Sequence, residues 1–172
     1  MSHQRSAGPR PAKRPATTEP ALALHAFLPA SYANGPGRRA VVWVQGCTLA
    51  CPGCFNPETH PRRGGRQTAV HTLLEQIRAC DGIEGVTITG GEPLQQRRPV
   101  LELLHGIRRT TSLSTVVFSG FSWDDIQRMP DRERLLAPID VLIAGRYHAH
   151  EHTAHALRGS ANQSINLLSD RY

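Results

Sequence analysis

The chain has 172 residues, of which 39% are hydrophobic and 20% are charged, and its formal net charge is +6. A chain of this length can bury a core as one domain without disulfide bonds, and no apolar run approaches the ~18 residues of a membrane span. Half of the net charge lies in residues 1–20, so the charge does not indicate a nucleic-acid surface. We expect one cytoplasmic domain that binds neither nucleic acid nor membrane.

The chain divides into a tail and a folded domain. Residues 1–20 carry four prolines and little apolar surface, which predicts a disordered basic tail, and residues 21–172 form the domain. In the domain, apolar runs of strand length alternate with segments of helical periodicity. The predicted strands are residues 21–27, 40–44, 85–89, 113–118, 139–144 and 165–168, and the predicted helices are residues 68–80, 93–109 and 123–136.

Strands that alternate with helices indicate an α/β fold with a mainly parallel sheet and right-handed crossovers. Ligands of such sheets bind at the carboxyl ends of the strands. The segments that follow predicted strands are the cysteine loop from Cys47, then Gly90-Gly91-Glu92, Ser119-Gly120 and Gly145. We expect all four segments on one rim of the sheet.

Three of the four cysteines, Cys47, Cys51 and Cys54, lie within eight positions. Gly46, Pro52 and Gly53 allow the backbone to curl around a compact group. Three neighbouring thiolates suit an iron–sulfur cluster or zinc. Because a [4Fe-4S] cluster normally takes four cysteines, three would leave one iron open to a substrate or cofactor.

A structural zinc site closed by His60 or Cys80 is the alternative. Zinc sites usually combine two separated pairs of ligands, and this loop has no second pair. Cys80 ends a predicted helix, where it is interpreted as a thiol of the core.

The spacing Cys47-x3-Cys51-x2-Cys54 and the segment from Thr89 to Leu94, TGGEPL, together resemble the radical S-adenosylmethionine (SAM) superfamily. This resemblance implies an incomplete β/α barrel with a mainly parallel sheet. It also implies a [4Fe-4S] cluster on the three cysteines, which are then both metal ligands and catalytic residues, with SAM chelating the fourth iron.

Further segments resemble one subfamily, the activating proteins of anaerobic ribonucleoside-triphosphate reductase, over about residues 22–168. They are NGPGRR from Asn34, QGC from Gln45, CPGCFNPET from Cys51, IDVLI from Ile139 and RGSANQ from Arg158. The subfamily carries aspartate and tryptophan where this chain has Ala144 and His60.

The resemblance implies an oxidoreductase that cleaves SAM reductively to a 5′-deoxyadenosyl radical and installs a glycyl radical on an anaerobic ribonucleotide reductase. A small redox protein, flavodoxin or ferredoxin, would deliver the electron. Two alternatives stay open: a radical SAM enzyme that modifies another peptide or small molecule, and a non-catalytic iron–sulfur or zinc-binding interaction module.

Gly90, Gly91 and Glu92 are predicted to bind SAM, because the family contacts the methionine amino group of SAM through this segment. The glycines also suit a tight turn before a helix that begins with proline. Ser119 and Gly120 occupy the same place after the next strand and are predicted to lie near SAM, with a plain turn as the alternative.

Phe55 is predicted to contact the adenine of SAM, because radical SAM proteins commonly carry an aromatic residue beside the last cysteine; ordinary packing is the alternative. Asn162 and Gln163 are predicted to contact a ligand or partner, or else to cap the following strand.

Four histidines, His148, His150, His152 and His155, surround Glu151. Residues two apart point in opposite directions on a strand and do not share a helix face. Only His148 with His152, or His152 with His155, would pair on a helix. A solvated loop is therefore predicted here, without a second metal site.

Overall fold

A computed structural model describes residues 19–154 and 157–172. Most of the predicted tail and His155 lie outside the described residues. The strands are β1 (Ala21–Ser31), β2 (Arg39–Val44), β3 (Arg66–Ala69), β4 (Gly85–Gly90), β5 (Ser114–Ser119), β6 (Val141–Ala144) and β7 (Ser164–Leu167). The helices are α1 (Val70–Arg78), α2 (Arg97–Thr110), α3 (Trp123–Gln127) and α4 (Arg132–Leu136), and 3₁₀ turns lie at Pro57–Thr59, Pro93–Gln96 and Ala149–Glu151.

The seven strands form one sheet in the order β3-β1-β2-β4-β5-β6-β7. The four central strands β2, β4, β5 and β6 are parallel, whereas β1, β3 and β7 pair antiparallel at the two sides. The predicted α/β class with a mostly parallel sheet centre is confirmed. Within the described ranges, β3 and β7 each pair on one side only, so the sheet is open.

All three predicted helices differ from the structure. The helix predicted over residues 93–109 begins with the 3₁₀ turn Pro93–Gln96 and is α-helical from Arg97. The helix predicted from residue 68 begins at Val70, because Thr68 and Ala69 extend a strand that pairs with β1. The helix predicted over residues 123–136 is two short helices, α3 and α4. Pro130 lies between them, and proline disfavours helical backbone in the residue before it.

The core lies between the sheet and the helices. Apolar side chains of β1, β2 and β4 pack with those of α1 and α2 in the largest buried cluster. In α2, Val100, Leu103, Leu104 and Ile107 are fully buried, which matches the helical period of one apolar face. No helix in the described part of the chain is long and apolar enough to cross a membrane.

A buried arginine joins the amino-terminal ends of the central strands. Arg39 has no exposed surface, and its guanidinium donates to the side chains of Thr87 and Ser114 and to the carbonyl oxygens of Val86 and Ser114, at 2.9–3.0 Å. It also donates to Tyr172 Oη at 3.0 Å. This polar network lies at the starts of β2, β4 and β5, the end of the sheet opposite to the cysteines.

Candidate active site

A cleft lies at the carboxyl ends of the parallel strands, where the strand order predicted the chemistry. The cleft is open to solvent, and the part that water-sized groups can occupy has a volume of about 130 Å³. The lining residues are Cys47, Leu49, Cys51, Cys54, Phe55, Asn56, His60, Thr89, Gly90, Gly91, Glu92, Phe118, Ser119, Gly120, Gly145, Tyr147 and Gln163. The structure thus brings together every predicted site residue except Asn162.

The cysteine loop closes on itself at its base. Gly46 N donates to Thr59 O at 2.7 Å, and Cys47 N donates to His60 O at 3.0 Å. These two hydrogen bonds hold the two ends of the loop together. Cys54 N donates to Cys51 O at 3.1 Å, and Gly53 between them has φ +73°, which favours glycine. This tight turn directs all three half-buried thiols toward the cleft.

The surroundings of the Cys47 thiol disfavour its ionisation. Burial raises its pKa, the backbone N–H groups of Leu49 and Ala50 oppose the rise, and the negative charges of Glu92 and Cys51 add to it. A positively charged metal centre would favour the thiolate and reverse this balance. Three sulfur donors on a compact loop fit an iron–sulfur cluster better than they fit a hard metal ion such as Mg²⁺.

The Gly-Gly-Glu segment is hydrogen-bonded directly to the start of the cysteine loop. Gly91 N donates to Val44 O at 2.8 Å, and Glu92 N donates to Gly46 O at 2.9 Å. A Cβ atom on Gly91 would lie 2.4 Å from Gly46 O, closer than any side chain tolerates. Only glycine therefore allows the two backbones to approach and form one continuous wall.

Glu92 is a buried carboxylate that connects the ends of β4 and β5. It is 1% exposed; Oε1 accepts from Leu94 N and from Ser119 Oγ, both at 2.9 Å, and Oε2 accepts from Gly120 N at 2.7 Å. Burial raises the pKa of Glu92 to about 7 despite these three hydrogen bonds. Since each carboxylate oxygen has two lone pairs, Oε2 keeps one position for a further donor.

An aromatic pair lies at the mouth of the cleft. Phe55 is 62% exposed, and its ring centroid lies 4.6 Å from that of Tyr147. Sequence reasoning missed Tyr147. The signal was available, because Tyr147 follows the strand-end residue Gly145 by two positions and so belongs to the same rim.

Gln163 and Asn162 have different environments. Gln163 lines the cleft, and its side chain supports the loop by accepting from Gly159 N at 2.8 Å and donating to Gly145 O at 2.8 Å. Asn162 lines a neighbouring groove and donates to Arg146 O.

The two residues considered as further zinc ligands are separated. His60 lines the cleft, whereas Cys80 lies at the end of α1, is half-buried and donates to Gln76 O. Cys80 lines two other surface grooves, so it does not join the three cysteines.

The histidine run contains a closer grouping than its spacing predicted. The segment is a 3₁₀ turn rather than an α-helix, and this turn brings His148 and His150 together with Glu151. The rings of His148 and His150 stack with centroids 5.4 Å apart. A solvated loop without a metal site was predicted from strand and helix spacing; a 3₁₀ turn has fewer residues per turn than an α-helix, so residues two and three apart can approach.

A cysteine triad and a Gly-Gly-Glu segment in one cleft define an iron–sulfur protein of the radical SAM type. The family described as "4Fe-4S single cluster domain" matches residues 33–166. The anaerobic ribonucleoside-triphosphate reductase-activating protein of Enterobacteria phage T4 is 32% identical over 144 residues, covering 81% of this chain and 90% of that protein. The chain belongs to this 4Fe-4S single-cluster family, together with the reductase-activating proteins. It is an enzyme of the glycyl-radical activase type, with a [4Fe-4S] cluster and SAM as its cofactors.

Two further relatives carry names of the same kind. The protein of the same name from Escherichia coli K12 is 26% identical over 152 residues, covering 84% of this chain and 97% of that protein. A "putative glycyl-radical enzyme activating enzyme" of Haemophilus influenzae is 35% identical over 109 residues, covering 62% of this chain and 42% of that protein. The crystal structure of QueE from E. coli aligns with a TM-score of 0.42 and 17% identity, covering 62% of this chain and 54% of that chain.

Proposed function

We propose that this enzyme installs a glycyl radical on an anaerobic ribonucleoside-triphosphate reductase. The observation that carries the proposal is the hydrogen-bonded junction of the cysteine loop and the Gly-Gly-Glu segment at one cleft. The names of the phage T4 and E. coli relatives, both aligned over most of their length, supply the substrate.

Cys47, Cys51 and Cys54 would hold the cluster. When bound, the cluster would supply the electron for reductive cleavage of SAM, and the 5′-deoxyadenosyl group released in this way would take a hydrogen atom from the substrate glycine. The closed base of the loop fixes where these three thiolates lie, because both of its ends are hydrogen-bonded to each other. The protein's part in this chemistry is to position the cofactors.

The walls of the cleft would orient SAM. Gly90 and Gly91 allow close approach to the backbone, and Glu92 Oε2 has one acceptor position for the ammonium group of the methionine moiety. Ser119 and Gly120 hold that carboxylate in place. At the mouth, Phe55 offers an aromatic face to the adenine, as Tyr147 supports its ring.

The open sheet suits a protein substrate. We infer that it is the incomplete barrel of the radical SAM type, since β7 ends the sheet next to β6 at the cleft. An opening beside the cleft would admit a flexible glycine-containing segment of the reductase, and a small redox protein would deliver the electron. Asn162 lines the groove next to the cleft, where it would contact the entering segment rather than SAM.

Deuterium transfer tests the proposal. The anaerobically reconstituted enzyme is reduced with SAM and a reductase whose glycines carry deuterium at the α-carbon, and 5′-deoxyadenosine is analysed by mass spectrometry. Singly deuterated product is expected. Unlabelled product would show that the radical acts on a different substrate.

Two serine variants control for the cluster. Cys47→Ser should lose cluster iron and product, whereas Cys80→Ser should keep both, because Cys80 lies away from the cleft. Equal losses in the two variants would contradict the assignment of the cluster ligands.

A further inference from the structure

Outside the cleft, a second group of metal-binding side chains lies in the 3₁₀ turn at Ala149–Glu151. His148 Nδ1 lies 2.9 Å and His150 Nε2 lies 3.5 Å from the same atom, Glu151 Oε1. All three ligand atoms lie within 4.8 Å of one another. Two imidazoles and one carboxylate thus converge within four residues of sequence.

These separations are near those of a tetrahedral zinc site. Zinc binds histidine nitrogen at about 2.0–2.1 Å and carboxylate oxygen at about 2.0–2.2 Å, which places tetrahedral ligand atoms roughly 3.3–3.5 Å apart. The separation of His150 Nε2 from Glu151 Oε1, 3.5 Å, lies in this range, whereas His148 Nδ1 lies closer, at 2.9 Å, because it is hydrogen-bonded to that oxygen. A bound metal ion would replace this hydrogen bond, with the ring proton of His148 on Nε2 and the lone pair of Nδ1 on the ion.

The backbone holds the turn in this conformation. Glu151 N donates to His148 O at 3.0 Å, and Ala161 N donates to Glu151 O at 2.8 Å. His148 N donates to the buried Ser160 Oγ at 3.1 Å. Because the turn is attached to the segment around Ser160, a metal ion would need mainly side-chain adjustment to bind.

We propose that His148, His150 and Glu151 form a second metal site, distinct from the cluster, that takes a divalent zinc-class ion. Neutral imidazoles and a carboxylate suit Zn²⁺ and its neighbours Ni²⁺ and Cu²⁺, whereas Mg²⁺ and Ca²⁺ prefer oxygen ligands alone. With neutral imidazoles the three side chains carry a net charge of minus one, which attracts a divalent cation. Three protein ligands leave a fourth position open to water.

The site is connected to the active site through its own turn. Ala149 lies against the cysteine loop, since a Cβ atom on Gly53 would be 3.2 Å from Ala149 Cβ. Tyr147, directly before His148, lines the cleft and packs on Phe55. An ion bound here would therefore restrain the wall of the cleft that carries Tyr147.

Titration of Zn²⁺ into the cluster-loaded enzyme tests the proposal, because the cluster occupies the competing cysteines. Isothermal calorimetry should show one site per chain, with cluster absorbance and iron content unchanged. A His148→Ala/His150→Ala variant should lose this site, and Glu151→Gln, which conserves shape, should weaken it by about tenfold or more. His105→Ala, on α2, is the matched control and should bind as wild type.

A second titration tests zinc binding in a protein that cannot hold the cluster. In a Cys47→Ser/Cys51→Ser/Cys54→Ser protein, the same titration should again give one site that requires His148 and His150. Bound Zn²⁺ should also protect both histidines from diethyl pyrocarbonate, with the modified residues mapped by mass spectrometry. Zn²⁺ uptake that is unchanged in the double-histidine variant, or no uptake by the wild-type enzyme, would overturn the proposal.

Discussion

Glu92 gives the enzyme a pH-dependent stability that a single substitution can isolate. Burial raises the pKa of this carboxyl from 4.5 to about 7, so the folded protein holds its proton more tightly than the unfolded chain does. The contribution of Glu92 to the free energy of unfolding is therefore fully present below pH 4.5 and is lost as the pH rises through 7. The rise of about 2.5 pKa units corresponds to about 3 kcal/mol in total, of which about 2 kcal/mol is lost between pH 5.5 and 8.

The test compares wild type with Glu92→Gln, which has nearly the same shape and does not titrate. Melting temperatures of the cluster-loaded proteins are measured anaerobically at pH 5.5 and pH 8, with iron content checked at both. Between these pH values, wild type should lose about 4–8 °C relative to the variant. A difference between the two proteins that stays constant with pH, or that moves in the opposite direction, would refute the reasoning.

Two further substitutions test the packing of the fold. Gly91→Ala should lower the free energy of unfolding by about 2 kcal/mol or more and reduce iron loading, because its Cβ would lie 2.4 Å from Gly46 O. The control is Gly106→Ala, whose Cβ would contact only the movable side chain of Leu74. It should change the free energy of unfolding by about 1 kcal/mol or less. Equal melting temperatures and iron contents for the two variants would contradict this. Arg39→Met should lower stability by about 3–5 kcal/mol through unpaired buried acceptors, measured as the melting temperature; a melting temperature within 2 °C of wild type would show that the network is dispensable.

The cleft could be predicted because its components follow strand ends, and strand ends of a parallel sheet meet on one rim. Cys47 and Gly90 are far apart in sequence, but both follow strands of the predicted parallel sheet, which places them on the same rim. Strand β3, which pairs antiparallel with β1 at the edge of the sheet, was not predicted. Its residues, Arg66–Ala69, carry no strand periodicity, and pairing with β1 is decided by backbone hydrogen bonds that composition does not reveal.

Side-chain placement was harder to predict than the elements. Glu92 is predicted to bind SAM, and sequence spacing does not show that Leu94, Ser119 and Gly120 also donate to its carboxylate. The grouping of His148 with His150 was missed for a similar reason. It depends on a 3₁₀ turn, and strand or α-helical spacing does not bring residues two apart together.

Electron paramagnetic resonance of the reductase tests the central claim most directly. The cluster-loaded enzyme is incubated anaerobically with SAM, a reductant and the anaerobic ribonucleoside-triphosphate reductase, and the frozen sample is examined for the doublet of a glycyl radical. We expect a doublet that requires SAM, disappears with Cys47→Ser and persists with Cys80→Ser. A reductase that a known activating protein converts, but that gives no doublet with this enzyme, would contradict it.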